Sequence, residues 1–183
     1  DTQSARDDGI KRGRASAISG DTLRISGQSI VLAGIEAPDE QYPCFNGKGR
    51  RWSCASSASN ALSRMIRGRV VACELADAGA SSASVASGGG ELQRGHCRVG
   101  DKDIAAELVR GGHVFASDGD VRIYGSDEDA ARTARAGIWQ VGDIDRPKAW
   151  RARVWDDAKR SAPDGCPIKG LVKSGGRIYA MPW

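Results

Sequence analysis

Short apolar runs broken by glycine and small polar residues set the pattern from Ala15 to Ala37. The stretch "ASAISGDTLRISGQSIVLAGIEA" predicts three short strands, with turns at Gly20-Asp21 and at Ser26-Gly27-Gln28. The period then lengthens. In "SCASSASNALSRMIRG" the residues Ala58, Leu62, Met65 and Ile66 recur at helical spacing, and Gly68 is a natural stop. "RVVACEL" and "LQRGHCRV" predict two further strands. Between them, Ala76 to Gly90 is built of side chains too small to form a core, which predicts a long mobile loop. Asp103 is expected to cap a short helix carrying Ile104, Leu108 and Val109, closed by Gly111-Gly112. "SDEDAARTARAG" predicts another helix, opened by Ser126 and Asp129 at capping-box spacing and closed at Gly137. The segments "RPKAWRARVW" and "CPIKGLVKSGGRIYAMPW" read as a tail. Short strands interrupted by one helix, with helices gathered at the end, predict a small barrel with helices on one side, an α+β arrangement.

Composition narrows this picture. A chain of 183 residues suits one domain with an extension, long enough to bury a core. No apolar run approaches the length that crosses a bilayer. The net charge of +4 permits an anionic partner without requiring one. The basic runs "KRGR" (Lys11 to Arg14) and "KGRR" (Lys48 to Arg51) read as solvated surface segments. Asp1 to Gly9 reads as a disordered tail. The sequence starts at Asp1 without Met, as a cleaved secretion signal or a trimmed terminus would leave it.

The cysteines carry more. Cys44, Cys54, Cys73, Cys97 and Cys166 contain no C-x-x-C pair, and His96 and His113 complete no metal-ligand spacing, so a structural zinc site is not expected. A disulfide framework is, which implies an oxidising compartment. Cys44 and Cys54 flank a loop containing Gly47 and Gly49, which lets the chain turn back on itself. Cys73 and Cys97 lie in two strands joined by the glycine- and serine-rich loop. Antiparallel neighbours bring Cα atoms to about 4.5–5.5 Å, within the usual disulfide range of about 4.4–6.8 Å. The expected bridges are Cys44–Cys54 and Cys73–Cys97. Cys166 is left over, its partner expected in a segment beyond Trp183 or in another chain.

"GDTLRISGQSIVLAGIEAPD" resembles the opening of the staphylococcal nuclease (thermonuclease) family, which reads G-D-T and then R-L-x-G-I-D-A-P-E. "DKDIAAELVRGGHV" is similar to that family's stretch between the barrel and its second helix, and "ARAGIW" followed by "PKAWR" resembles its third helix and exit. The segment around Cys44, Trp52 and Cys54 looks like a subgroup of exported bacterial members. The resemblance implies a five-stranded OB-type β-barrel with three α-helices over residues 10–151. Residues 152–183 then form a C-terminal extension and residues 1–9 the disordered tail.

The resemblance also implies a chemistry, calcium-dependent cleavage of phosphodiesters. A hard cation takes oxygen ligands, neutralises the phosphate and positions water. A carboxylate base takes the water's proton. Two arginines grip the phosphate and stabilise the growing charge. Carried onto this chain, Asp21 matches the first carboxylate ligand and Thr22 the threonine of G-D-T. Glu36 stands where the family has Asp, one methylene longer, and the Ala37 carbonyl stands at a backbone-ligand position. Asp39 falls on the position of the base, where the family has Glu, with Glu40 adjacent. The arginines are missing: Val31 occupies the first position and Leu92 the second, with Arg94 two residues on, on the same face of the strand. The family's substrate-facing tyrosines are replaced in "VFASDGD", where Asp118 and Asp120 would repel a phosphate. Losing one preorganised partner of this kind costs about 10²–10³ in rate. The expectation is therefore a degenerate nuclease-like barrel serving as a binding or structural module in the periplasm or envelope, or secreted, with a protein partner. A weak calcium-dependent nuclease and a non-catalytic nucleic-acid-binding protein are the alternatives. Two phenylalanines, three tyrosines and five tryptophans offer little for base stacking. Trp52, Trp139, Trp150, Trp155 and Trp183 are expected to pack the core or the extension.

Overall fold

The computed structural model describes residues 9–76, 93–119, 122–162, 164–173 and 176–182. The expected tail before Gly9, nearly all of the Ala76–Gly90 loop, Leu92, Asp120 and Trp183 lie outside the described residues.

Five strands close into a mixed barrel: β1 (Ile10–Ala17), β2 (Thr22–Ile25), β3 (Gln28–Leu32), β4 (Val70–Leu75) and β5 (Gln93–Val99). β1 lies antiparallel between β2 and β4, β2 pairs antiparallel with β3, and β4 with β5. The parallel pair β3–β5 closes the ring, in the register Ile30↔Gln93, Val31↔Arg94 and Leu32↔Gly95. Strand alternation turns one face inward, so Leu23, Ile25, Ile30, Leu32, Val71 and Cys73 are buried while Arg12, Arg14 and Arg24 are exposed. Helix α1 (Cys54–Ile66) presents Ala58, Ala61, Leu62 and Ile66 to this core. Each fully buried Leu or Ile contributes about 1.5–3 kcal/mol. Helix α2 (Ile104–Arg110) adds Ile104, Leu108 and Val109, and Asp103 caps it as expected, its carboxylate accepting the Ala106 N–H at 3.1 Å.

Both expected disulfides are present. Cys73 and Cys97 are direct cross-strand partners with Cα atoms 4.0 Å apart, and Cys44–Cys54 spans 5.9 Å. Cys166 is free and exposed.

Two expectations about the later helices are corrected. The capping box of Ser126 and Asp129 does not form. Helix α3 (Gly125–Thr133) begins earlier, with Tyr124 at the cap position and Ser126 already inside it. Nor does α3 run to Gly137: it ends at Thr133, with Ala134 at the C-cap and Arg135 following at a positive φ of 50°. The tight approach of two glycines explains the outcome. A Cβ on Gly137 would stand 2.0 Å from the Gly112 carbonyl oxygen, and one on Gly112 would stand 2.2 Å from the Ala136 oxygen. The Ile138 N–H donates to that Gly112 oxygen at 2.9 Å. Gly137 thus serves as a contact with the turn after α2, where only a bare backbone fits, and opens the 3-10 turn Gly137–Val141.

A fourth α-helix, α4 (Pro147–Ser161), occupies part of the segment read as tail, where three helices were expected. Pro147 stands in its first turn, where a missing N–H costs nothing. The chain divides into two compact units, Asp1–Asp143 and Ile144–Trp183. The second holds α4 and an antiparallel hairpin of Lys169–Lys173 with Gly176–Ala180. Among the described residues no helix is long and apolar enough to cross a membrane.

Candidate functional site

The turn between β1 and β2 is built around Asp21. Its Oδ1 accepts hydrogen bonds from Ser19 Oγ at 2.7 Å and Thr22 Oγ1 at 3.0 Å, and its Oδ2 accepts the Ala37 N–H at 3.0 Å. One carboxylate thereby ties the turn to the strand exit after Glu36. Gly20 lets this turn lie against α1, since a Cβ there would stand 2.5 Å from the Ala58 Cβ.

Beside this knot opens a cleft of about 610 Å³. One wall carries Asp21, Ala37, Asp39 and Glu40; the other is the first turns of α1, with Ala55, Ser56, Ser59 and Asn60. The Cys44–Cys54 bridge fixes that second wall, because Cys54 is the first residue of α1. The hydroxyls and amide of Ser56, Ser59 and Asn60 were not singled out from sequence. Their helical spacing on the polar side of α1 is the signal that carried them.

The structure thus gathers Asp21, Ala37, Asp39 and Glu40 at one opening. Thr22 and Glu36 are not part of its lining. Thr22 spends its hydroxyl on Asp21, and Glu36 sits in a two-residue strand, Ile35–Glu36, paired with Phe115–Ala116. Ala37 meets Asp21 through its N–H rather than its carbonyl. Among the described residues, no group of three or more His, Cys, Asp or Glu side chains is arranged to hold a metal ion. The donor set Asp21, Thr22, Glu36 and Ala37 does not fit calcium as arranged, since Glu36 stays outside the cleft and Asp21 is engaged by protein donors on both oxygens. Val31, at the first arginine position, is half-buried between Thr22 on β2 and Arg94 on β5. Arg94 is exposed and does not line the cleft. Among the described residues the lining contains neither arginine nor lysine. Asp118 is exposed.

Other titratable groups serve the scaffold. The Tyr124 hydroxyl donates to Asp103 Oδ2 at 2.9 Å; burial and that bond push its pKa up, away from any nucleophilic use. Burial, and then the nearby Arg64 charge, lower the pKa of His113. Trp139 and Trp150 are buried as expected, and Trp52 and Trp155 are half-buried.

No protein-family model matches this chain. It is similar to the succinoglycan biosynthesis protein ExoI of Rhizobium meliloti (strain 1021), with 30% identity over 132 residues. That stretch covers 70% of this chain and spans 64% of the length of the relative.

Proposed function

We propose that this chain is an OB-type barrel of the staphylococcal nuclease kind that has lost phosphodiester hydrolysis and works as a binding or structural module in the periplasm or cell envelope. The ring order β1-β2-β3-β5-β4, closed by the parallel β3–β5 pair with α1 between β3 and β4, supports the OB-type assignment. The observation that carries the loss of catalysis is the cleft at Asp21, lined among the described residues without a cation, with Val31 where the first arginine would stand. Removing one such donor costs about 3–4 kcal/mol of transition-state stabilisation, and effects of two need not add. The extracytoplasmic setting is supported by the two disulfides, which persist in oxidising compartments, and by the similarity to a protein named for succinoglycan biosynthesis.

A second reading, a weak calcium-dependent nuclease, is favoured by two observations. Asp21, Asp39 and Glu40 share one opening, and Arg94 stands next to Val31 in the β3–β5 ladder. The deciding experiment incubates the protein with single-stranded DNA and with RNA, with and without millimolar calcium, beside Asp21→Ala. The proposal expects no calcium-dependent cleavage by either protein; robust cleavage that Asp21→Ala abolishes establishes the second reading. Calorimetry with millimolar calcium separates binding from turnover, because heat lost in Asp21→Ala would mean a metal held without catalysis.

A further inference from the structure

The outward face of the barrel strands carries arginine charge that no described residue answers with a side-chain hydrogen bond or ion pair. Cross-strand partners point to the same side of a sheet, so the register places Arg12, Ala72 and Arg98 in one row across β1, β4 and β5. Two residues further along β1, Arg14 stands opposite Val70, which is 63% exposed. Beyond it, Ser16 stands opposite Arg24 on β2. All four arginines are exposed. Same-face neighbours along a strand lie about 6.5–7 Å apart, and adjacent strands about 4.8 Å. Arg98, Arg12, Arg14 and Arg24 therefore form a staircase on the order of 20 Å long across β5, β4, β1 and β2.

The helical part of the chain treats arginine differently. Arg110 pairs with Glu107 and Asp127, Arg122 and Arg132 with Glu128, Arg153 with Asp145, and Arg160 with Asp157. Among the described residues, none of the four staircase guanidiniums makes a side-chain hydrogen bond or ion pair. The nearest acids are of limited use to them. Asp103, opposite Arg98, accepts the Ala106 N–H and the Tyr124 hydroxyl. Glu74 lies two residues past Ala72, opposite His96.

We infer that this face binds an acidic polysaccharide, a polymer with carboxylates at regular intervals; the inference rests on the non-catalytic binding-module reading and names its partner. Guanidinium forks match carboxylates bidentately, and four of them on one face can engage several charges of a polyanion at once. Single-stranded nucleic acid is disfavoured because the outward positions of β1, β2, β4 and β5 are Ile10, Ser16, Thr22, Val70, Ala72, Glu74, His96 and arginines, with no aromatic ring on which a base could stack. Exposed ion pairs are weak singly, so affinity comes from several together and falls with salt.

The test measures retention of the whole protein in gels containing polygalacturonate, neutral dextran, or single- or double-stranded DNA, at low and at high salt. Polygalacturonate is expected to retard it, dextran is not, and high salt removes the retardation. Arg12→Gln/Arg98→Gln should weaken polygalacturonate binding by about tenfold, with an unchanged thermal midpoint. Arg14→Gln/Arg24→Gln gives an independent second pair should the first lower that midpoint. No retention by polygalacturonate, equal retention in both double variants, or stronger retention by DNA would overturn the inference. The nuclease assay on the same preparations keeps the two proposals apart: cleavage of DNA would remove the non-catalytic reading, whereas loss of polygalacturonate binding alone would remove only this partner.

Discussion

Asp21 and Glu128 are two carboxylates that hold parts of the first unit together, and their surroundings are opposites. Asp21 is half-buried at an open cleft and takes only neutral donors: two hydroxyls and one backbone N–H. Glu128, on α3, is fully buried. It accepts the Ala116 N–H at 2.8 Å and the guanidiniums of Arg122 and Arg132, each at 3.1 Å. Arg132 in turn lies 4.2 Å over the Trp139 ring and reaches Asp143. Where water is excluded, a charge must be answered by charge. Where the cleft opens, water and dipoles suffice. The arginines that pair with acids in this unit serve helix packing, and among the described residues none stands at the cleft. An acidic opening without cations among the described residues is poorly suited to holding a phosphate, which ties the contrast to the proposed loss of catalysis.

The largest effect expected from this contrast belongs to Glu128. Replacing it with Ala leaves two guanidiniums without their buried partner and orphans the Ala116 N–H, a loss of about 3–5 kcal/mol. Urea unfolding of Glu128→Ala beside Asp21→Ala checks it; equal losses would erase the distinction between the two acids. Next come the disulfides. Removing Cys73–Cys97 as the double Ala variant should cost about 3.4 kcal/mol, and removing Cys44–Cys54 about 0.8 kcal/mol less, because the closed loops span 24 and 10 residues. The midpoints of the two double variants give the order, and the reverse order would mean that native strain outweighs loop entropy.

Asp21→Asn is expected to cost less, about 1–2 kcal/mol, since its partners are neutral and partly hydrated. Denaturant midpoints read this directly. A loss matching that of Glu128→Ala would show that the turn depends on the charge of Asp21 as well as on its hydrogen bonds.

The smallest effect concerns pH. The pKa of His113 is lowered in the fold, by burial first and then by Arg64. The unfolded chain therefore takes up the proton more readily. The contribution is fully present above the ordinary imidazole range, near 6.5, and is lost as pH falls below it toward the folded pKa. His113→Gln should flatten the decline in thermal midpoint between about pH 7 and pH 5. An identical slope in both proteins would remove His113 from the acid response.

Much of this molecule was legible from local pattern. Three strands punctuated at Gly20-Asp21 and Ser26-Gly27, the apolar stripe of α1, the Asp103 cap and both cysteine pairs follow from spacing within one element or between two neighbouring strands. Such features depend on backbone geometry that a few consecutive residues define. The start of α3 and the role of Gly137 were not legible in this way. The role of Gly137 hangs on its approach to Gly112, which joins segments far apart in sequence, and α3 begins one residue past Tyr124, whose hydroxyl bonds Asp103 at the start of α2. The membership of the cleft belongs to the same class. Glu36 is three residues from Asp39, yet its pairing with Phe115 keeps it out of the lining, while Ser56 and Asn60 enter because α1 docks against Gly20. The pairing of Val31 with Arg94 is set by closure of the β3–β5 ladder. Sequence by itself determined the barrel strands, α1, α2 and which cysteines meet, but not α4 or the terminal hairpin, which lie in the segment read as tail. Only the tertiary structure decided which side chains converge, because convergence is fixed by long-range register and close backbone contact rather than by the conformational preference of any single segment.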